Sequence, residues 1–293
     1  MATQTVSEPS LGPARAKRYN CWKPLVIAGF VALLYFRVIR DLILDWWTNP
    51  GYSHGILILP LAGYLIWRDR DHLLRLPVVS ENRAVIVTLA ACLIYLAGRL
   101  AAEFFLARIS LIILVVGLTW TFWGTQRLRV LAFPILLLAS VIPLPTILYN
   151  QLAAPLQLLA SRLATDLAQA MGITVYRDGN IINLGTTSLG VAEACSGLRS
   201  LASLTVAALL VGHVESLRNR TRVLLFFSAI PIAIAFNVLR VTGTAILAEK
   251  DADLASGFYH SVSGWLIFLG GFGALMLTGK VLRALLEGKK GRA

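Results

Sequence analysis

Eight apolar runs follow one another along this chain, and they limit what it can fold into more than any other feature. They cover about residues 24–44, 55–67, 84–100, 109–124, 130–148, 195–214, 223–247 and 258–282. A helix needs roughly 20 residues to cross the hydrocarbon core of a bilayer, so the shorter runs must borrow residues from their loops. With 57% hydrophobic and 14% charged residues, the chain is too apolar for a soluble domain. We therefore predict an all-α polytopic membrane protein with about eight transmembrane helices.

The eight runs form a single transmembrane unit, predicted over residues 24–284, between two short tails. Residues 1–23 are polar and basic, and we expect a disordered cytoplasmic tail there. Residues 285–293 form a second basic tail. Pro134, Pro143 and Pro145 predict a kink or an early stop of the fifth span near Ile142.

The distribution of positive charge predicts the sides of the membrane. Eighteen of the 27 Lys and Arg residues, but only six of the 15 Asp and Glu residues, fall on one side of an eight-span arrangement. The positive-inside rule places that side, with both termini, in the cytoplasm. Because the net charge of +12 is collected in short loops rather than in a basic tract interleaved with aromatics, we expect no nucleic-acid partner.

Residues 149–194, before the sixth span, differ from the rest and are predicted to lie on the periplasmic side. Leucines recur there at helical spacing opposite polar residues, which is typical of an amphipathic helix in the membrane interface. The β-branched alternation that follows, around Asp178-Gly179-Asn180, predicts a β-hairpin. The leucines in question are Leu152, Leu156, Leu159, Leu163 and Leu167.

The sixth span opens on the segment EACSGLRS, residues 193–200, which places a thiol at the start of a helix. The helix dipole stabilises the thiolate of a cysteine at such a position. On the predicted topology, Cys195 and His260 lie at the outer surface, and Arg240 lies about two turns below the outer end of the seventh span. A thiol, an imidazole and a guanidinium are the groups that acyl transfer through a thioester requires.

Each of these residues also has a purely structural interpretation. Cys195 could pack like an alanine at the interface, and His260 could anchor the end of a helix. Arg240 could be a structural ion pair or a cation that snorkels to the interface. Sequence alone does not show that the three side chains meet.

Four further residues are candidates for support or substrate binding: Arg199, Glu193, Asn237 and His54. Arg199 follows Cys195 by one turn and could pair with Glu193 or Glu103. No cofactor or metal is expected, because the chain has no HExxH motif and only four scattered histidines without a cysteine pair. Its three cysteines do not form a disulfide framework, so Cys195 is predicted to be free.

Several motifs resemble those of the exosortase/archaeosortase family. They are EACSGLRS, FNVLRVTGT at 236–244, FYHSVSGW at 258–265 and YSHG at 52–55. The resemblance runs through about residues 24–282, with the motifs in the right order and on the same predicted side. It implies a multi-pass protein of the bacterial inner membrane that acts as a cysteine transpeptidase on exported proteins.

The resemblance also implies residue roles and partners. The family's catalytic cysteine, arginine and histidine fall on Cys195, Arg240 and His260. Its substrates carry a Pro-Glu-Pro motif, a transmembrane helix and a basic tail at their C-terminus, and they meet the enzyme among membrane lipids. The acceptor of the new C-terminus is left open: a glycan, a lipid headgroup or water.

Two other functions remain open at this stage. A transporter or flippase would use Arg240 and Arg199 to bind an anionic headgroup, and it would be favoured by paired, broken half-spans in two halves of the chain. An intramembrane hydrolase would use the same residues as the transpeptidase, with water as the acceptor.

Overall fold

The computed structural model describes residues 22–49, 51–185, 188–191, 197–250 and 257–288. The described chain is mostly helical, as predicted, with one small sheet. Most of the two predicted tails, residues 1–21 and 289–293, lies outside the described residues. The helices are α1 Trp22–Leu34, α2 Phe36–Thr48, α3 Gly55–Arg68, α4 Arg70–Arg75, a 3-10 turn Asn82–Ala84, α5 Val85–Leu100, α6 Phe104–Ser140, α7 Thr146–Ala170, α8 Leu198–Val214, α9 Asn219–Lys250 and α10 Gly257–Glu287.

Within the described residues, four helices are long and apolar enough to cross a membrane. They lie at Asn82–Leu100, Phe104–Ser140, Asn219–Glu249 and Val262–Glu287. Two apolar helices, α3 and α8, fall short of the length required. A membrane protein with several spans is therefore confirmed, and the count of about eight stays a prediction.

Helix α6 contains a reversal of chain direction at Gly124, whose φ of 79° and ψ of 174° are not helical. Near the start of α6, Arg108 forms an ion pair of 2.5 Å with Asp45 at the end of α2. Just past the end of α6, the carbonyl of Val141 accepts a hydrogen bond of 2.9 Å from the indole N–H of Trp46. Both ends of α6 thus meet consecutive residues of α2, so the halves 104–123 and 125–140 run antiparallel. They match the predicted fourth and fifth runs.

The predicted hairpin is present and continues into a third strand. β1 (Val175–Asp178), β2 (Ile181–Leu184) and β3 (Ser188–Gly190) form an antiparallel meander in the order β1-β2-β3. Asp178 pairs with Ile181, which leaves Gly179 and Asn180 as a two-residue turn. Gly179 takes a positive φ of 60°, which glycine adopts at no steric cost.

Helix α7 is attached to the protein mainly by its small residues, with Leu167 packed beside them. Ala160, Ala164 and Ala168 are buried in one cluster with Val241 and Ala245 of α9, and the sheet joins the same cluster. Several leucines of α7, including Leu152 and Leu163, point outward. The predicted leucines are therefore divided, since Leu152 and Leu163 are exposed and Leu167 packs on the buried cluster. The position of α7 in the membrane interface stays a prediction.

Helices α8, α9 and α10 form a bundle in which α9 is antiparallel to both neighbours. Its beginning lies beside the end of α10, because the Arg218 N–H donates a 2.8 Å hydrogen bond to the Glu287 carboxylate. The three helices share a buried cluster that includes Leu204, Ala229 and Leu275. The starts of α8 and α10 therefore lie towards the same end of the bundle.

Candidate functional site

Gly197 precedes the first residue of α8 and takes a left-handed backbone conformation, with φ 81° and ψ −7°. Its carbonyl accepts the first hydrogen bond of the helix, from the Leu201 N–H at 2.8 Å. A Cβ added to Gly197 would lie 2.9 Å from Cγ and Nδ2 of Asn237, which is closer than real Cβ atoms approach other atoms. Glycine is thus required at position 197 for two reasons: the left-handed backbone angle and the close contact with Asn237 of α9.

Asn237 and Arg240 lie one turn apart on α9 and face its two neighbours. The side chain of Asn237 is 2% exposed and packs on Gly197. The guanidinium of Arg240 packs on α10 at Gly264: a Cβ added there would lie 3.5 Å from Nη2 and 3.6 Å from Cζ. Arg240 is thus in van der Waals range of α10 at Gly264, at a distance that a Cβ would also tolerate.

His260 lies one turn before Gly264 on α10, and residues four apart share a helix face. The face of α10 that carries His260 is therefore the face that Arg240 contacts. The imidazole itself is outside the described part of the structure, as are Cys195 and Glu193. Cys195 precedes Gly197 by two residues in the chain.

Arg199 is the second residue of α8 and is half-buried. Its Nε atom is buried, and among the described residues it has no hydrogen-bond partner. The predicted pairing with Glu103 is absent from the described ion pairs. The Glu103 carboxylate instead accepts a 3.3 Å hydrogen bond from the Phe105 N–H at the start of α6. The other predicted partner, Glu193, lies outside the described residues.

His54 directly precedes α3 and belongs to a different set of contacts. The adjacent Gly55 packs on the ring of Trp46, and the Tyr52 hydroxyl accepts a 3.1 Å hydrogen bond from the Leu144 N–H. Burial lowers the pKa of His54 below its ordinary value. Its Nε2 atom is buried and has no hydrogen-bond partner among the described residues. His54 thus lies next to Tyr52 and Gly55, which contact the chain between α6 and α7 and the ring of Trp46.

A small cleft with about 10 Å³ of free space, roughly room for one water molecule, lies beside the contact between Gly197 and Asn237. It lies between α7, α8 and α9, and its walls are apolar apart from Asn237. The lining residues are Leu156, Leu159, Ala160, Gly197, Leu201, Ala233, Ile234 and Asn237.

Sequence analysis did not identify Gly197 as a position that requires glycine, nor Gly264 as the place where Arg240 contacts α10. A glycine in an apolar segment indicates a close contact between helices only when the neighbouring helix is known. The side chain of Arg240 is long, so the sequence does not show which helix it contacts. Within the described residues, no group of three or more histidine, cysteine, aspartate or glutamate side chains is placed to hold a metal ion.

Comparison with known proteins identifies the family of the chain. The family model described as Transmembrane exosortase (Exosortase_EpsH) matches residues 46–277, which is most of the chain. No curated protein and no solved structure matches the chain significantly. The matched range includes every candidate residue, from His54 to His260.

Proposed function

The chain belongs to the transmembrane exosortase family, which supports a transpeptidase role in the membrane, and we propose that it cleaves C-terminal sorting signals through a thioester on Cys195. Its substrates are exported proteins that end in a Pro-Glu-Pro motif, an apolar span and a basic tail. The new C-terminus passes to an acceptor at the outer face of the inner membrane.

The observation that carries this proposal is the pair of contacts that α9 makes with its neighbours. Asn237 touches Gly197, and Arg240, one turn further, touches Gly264. Two residues of chain span at most about 7 Å, which limits how far Cys195 can lie from Gly197. One helical turn, about 6 Å along the axis, separates His260 from Gly264. These limits support a pocket that all three catalytic candidates share.

Each residue has a definite role in the proposed reaction. The Cys195 thiolate attacks the carbonyl carbon of the scissile peptide bond, and Arg240 stabilises the negative charge that develops on the carbonyl oxygen. As the C–N bond breaks, His260 gives a proton to the leaving amine and the acyl group stays on sulfur as a thioester. His260 then takes a proton from the incoming nucleophile, which attacks the thioester and releases the thiolate.

The proposed topology has eight spans, with both termini in the cytoplasm and the active site facing the periplasm. The reversal at Gly124 supports it, because it divides α6 into the two antiparallel segments that this topology needs. The antiparallel order of α8, α9 and α10 supports it too, since it puts Gly197 and Gly264 at one level along α9. A substrate cut just outside the membrane would meet the enzyme there.

The nucleophile is tested by co-expressing the protein with a reporter that ends in Pro-Glu-Pro, an apolar span of about 20 residues and a cluster of arginines. We expect Cys195→Ala to lower release of the sorting tail about a thousandfold or more, as loss of a catalytic nucleophile does. Cys92→Ala is the matched control, because Cys92 is exposed on α5 and remote in sequence from the motifs. Tail release by the Cys195→Ala protein would refute the thioester mechanism.

Mass spectrometry of the processed reporter separates transpeptidation from hydrolysis. A new C-terminus linked to an amine or another acceptor supports transpeptidation. A free carboxylate identifies water as the acceptor and makes the protein a hydrolase with the same catalytic residues.

A further inference from the structure

The starts of helices α3 and α8 each carry a buried polar atom without a partner. Nε2 of His54 and Nε of Arg199 are buried, and neither forms a hydrogen bond within the described residues. Burying a charged group without an acceptor costs free energy, so buried polar groups nearly always have a partner. An arginine in this state therefore points to an anion that binds there.

Both residues lie on helix faces that pack into one shared core. His54 has helical backbone angles, φ −62° and ψ −18°, so it continues the geometry of α3. Residues that follow at intervals of three or four share one face of a helix. The apolar residues that follow His54 and Arg199 in this way pack in a single cluster with the second half of α6. They are Ile58, Leu61 and Leu65 on α3, and Val206 and Leu210 on α8.

The ends of α3 and α8 also lie together. Arg68, the last residue of α3, is near enough to His213 of α8 for their side chains to interact electrostatically. Phe133 of α6 stacks on the His213 ring, with 3.7 Å between the ring centroids. Further along the chain, Val141 accepts a hydrogen bond from the tryptophan whose ring packs on Gly55, at the start of α3. The second half of α6 thus runs from the ends of α3 and α8 towards their starts, so α3 and α8 are parallel.

This arrangement puts His54 and Arg199 at one level. Arg68 follows His54 by 14 residues, and His213 follows Arg199 by the same number. Fourteen residues of helix rise about 21 Å, so both starts lie about that far from the level at which Arg68 meets His213. Helix α6 ends only about 10 Å beyond its contact with His213 and therefore does not reach between the two starts.

The chemistry of the two side chains fits a phosphate group. A guanidinium binds phosphate through two parallel charge-assisted hydrogen bonds, and an imidazole N–H can donate a third. The level of these residues fits as well, because the ends of apolar helices lie where a bilayer presents its headgroups. Phosphate is the anion that a membrane supplies at this level.

We propose that His54 and Arg199 together bind a phosphate group between the starts of α3 and α8. The phosphate belongs to a lipid headgroup or is free in solution, and the chemistry of the site is the same for both. This site is additional to the proposed catalytic residues, and it does not depend on which reaction they carry out.

Thermal unfolding of the purified full-length protein in a neutral detergent tests the ligand. The additions are phosphatidylglycerol, inorganic phosphate, and diacylglycerol with the same acyl chains. A ligand that binds the folded state raises the thermal midpoint, so we expect a rise with phosphatidylglycerol and none with diacylglycerol. A rise with inorganic phosphate as well would identify the phosphate group alone as sufficient. No rise with either phosphate compound, or an equal rise with diacylglycerol, would overturn the site.

Substitutions test the residues. We expect Arg199→Gln and His54→Leu each to raise the half-saturating concentration of phosphatidylglycerol about tenfold or more, as loss of a charge-assisted hydrogen bond does. Arg99→Gln is the matched control for charge, because Arg99 is exposed in the last turn of α5. It should leave the titration unchanged. An equal loss in Arg99→Gln would show binding to surface charge in general and would contradict the proposal.

The stability of the lipid-free protein separates a binding role from a structural one. Arg199→Met removes a buried cation that has no acceptor among the described residues, so its midpoint without lipid should equal or exceed that of wild type. A lower midpoint would identify Arg199 as a structural residue and overturn the proposal. None of these measurements requires turnover, so failure of the phosphate site leaves the proposed function intact.

Discussion

At the scale of single residues, Gly197 is the glycine that the candidate site requires. It lets the chain enter α8 in a left-handed conformation while Asn237 packs directly on its backbone. Gly264 differs, because a Cβ added there would lie at an ordinary contact distance of 3.5 Å from Nη2 of Arg240. The absence of a side chain is therefore needed where α8 meets α9, and Gly264 marks only where Arg240 contacts α10.

Gly197→Ala should damage the site and lower stability. A left-handed alanine costs about 1–2 kcal/mol, and its Cβ would also overlap Asn237. We expect a lower thermal midpoint in detergent and loss of reporter processing. Gly273→Ala on α10 is the control: no atom lies within 4 Å of the added Cβ, and alanine is the better helix former. A Gly197→Ala protein as stable and active as Gly273→Ala would rule out the strained, close-packed turn.

At the scale of elements, the reversal at Gly124 is held by the loop that leads into α5. The Glu81 carboxylate accepts hydrogen bonds from the hydroxyl and the backbone N–H of Thr125, at 2.6 and 2.9 Å. Arg83 donates to the same carboxylate at 2.7 Å. Glu81 therefore caps the second half of α6 where it starts again after Gly124.

This cap predicts a pH dependence of stability. The hydrogen bonds from Thr125, followed by those from Arg83, lower the pKa of Glu81 to about 2. Because the pKa is lower in the folded protein, the contribution of Glu81 to stability is full above the unfolded value of about 4.5 and is lost as the pH falls towards 2. Glu81→Gln should lower the thermal midpoint at pH 6, and its difference from wild type should shrink at pH 3. Parallel curves for the two proteins would show that Glu81 does not act in this way.

The elements were largely predictable from the sequence, and the contacts between them were not. Apolar runs predicted α5, α9 and α10 within a few residues, and turn residues predicted the hairpin at Gly179-Asn180. The number of spans could not be settled, because α3 and α8 are shorter than the bilayer requires. The motifs named Arg240 and His260 as partners, but only the packing shows that the guanidinium contacts α10, the helix that carries His260, at Gly264.

At the scale of the whole molecule, described ion pairs of the predicted cytoplasmic loops gather at one end. Arg68 pairs with Asp69, Arg83 with Glu81 and Arg283 with Glu215. The candidate site lies towards the other end of the same helices, beside Gly197 and Gly264. On the proposed topology these charged loops face the cytoplasm and the candidate site faces the other side, where the Arg108–Asp45 pair also lies.

Thiol labelling in intact cells tests this separation. If Cys195 faces the periplasm as a thiolate, a membrane-impermeant alkylator should label it from outside in preference to Cys21 and Cys92. Cys195→Ala should remove the label, and Cys92→Ala should leave it. Labelling that requires permeabilised membranes would reverse the proposed orientation.

Helix α9 does not stop at the level of the site. From Asn237 it continues to Lys250, about 20 Å further along its axis, and α7 and the sheet are packed on this extension. The start of α8 is therefore flanked on one side by the extension of α9, together with α7 and the sheet that pack on it. If the site faces the periplasm as proposed, α7, α9 and the sheet would keep a folded domain away from it on this side, and an extended segment of polypeptide could pass beside them.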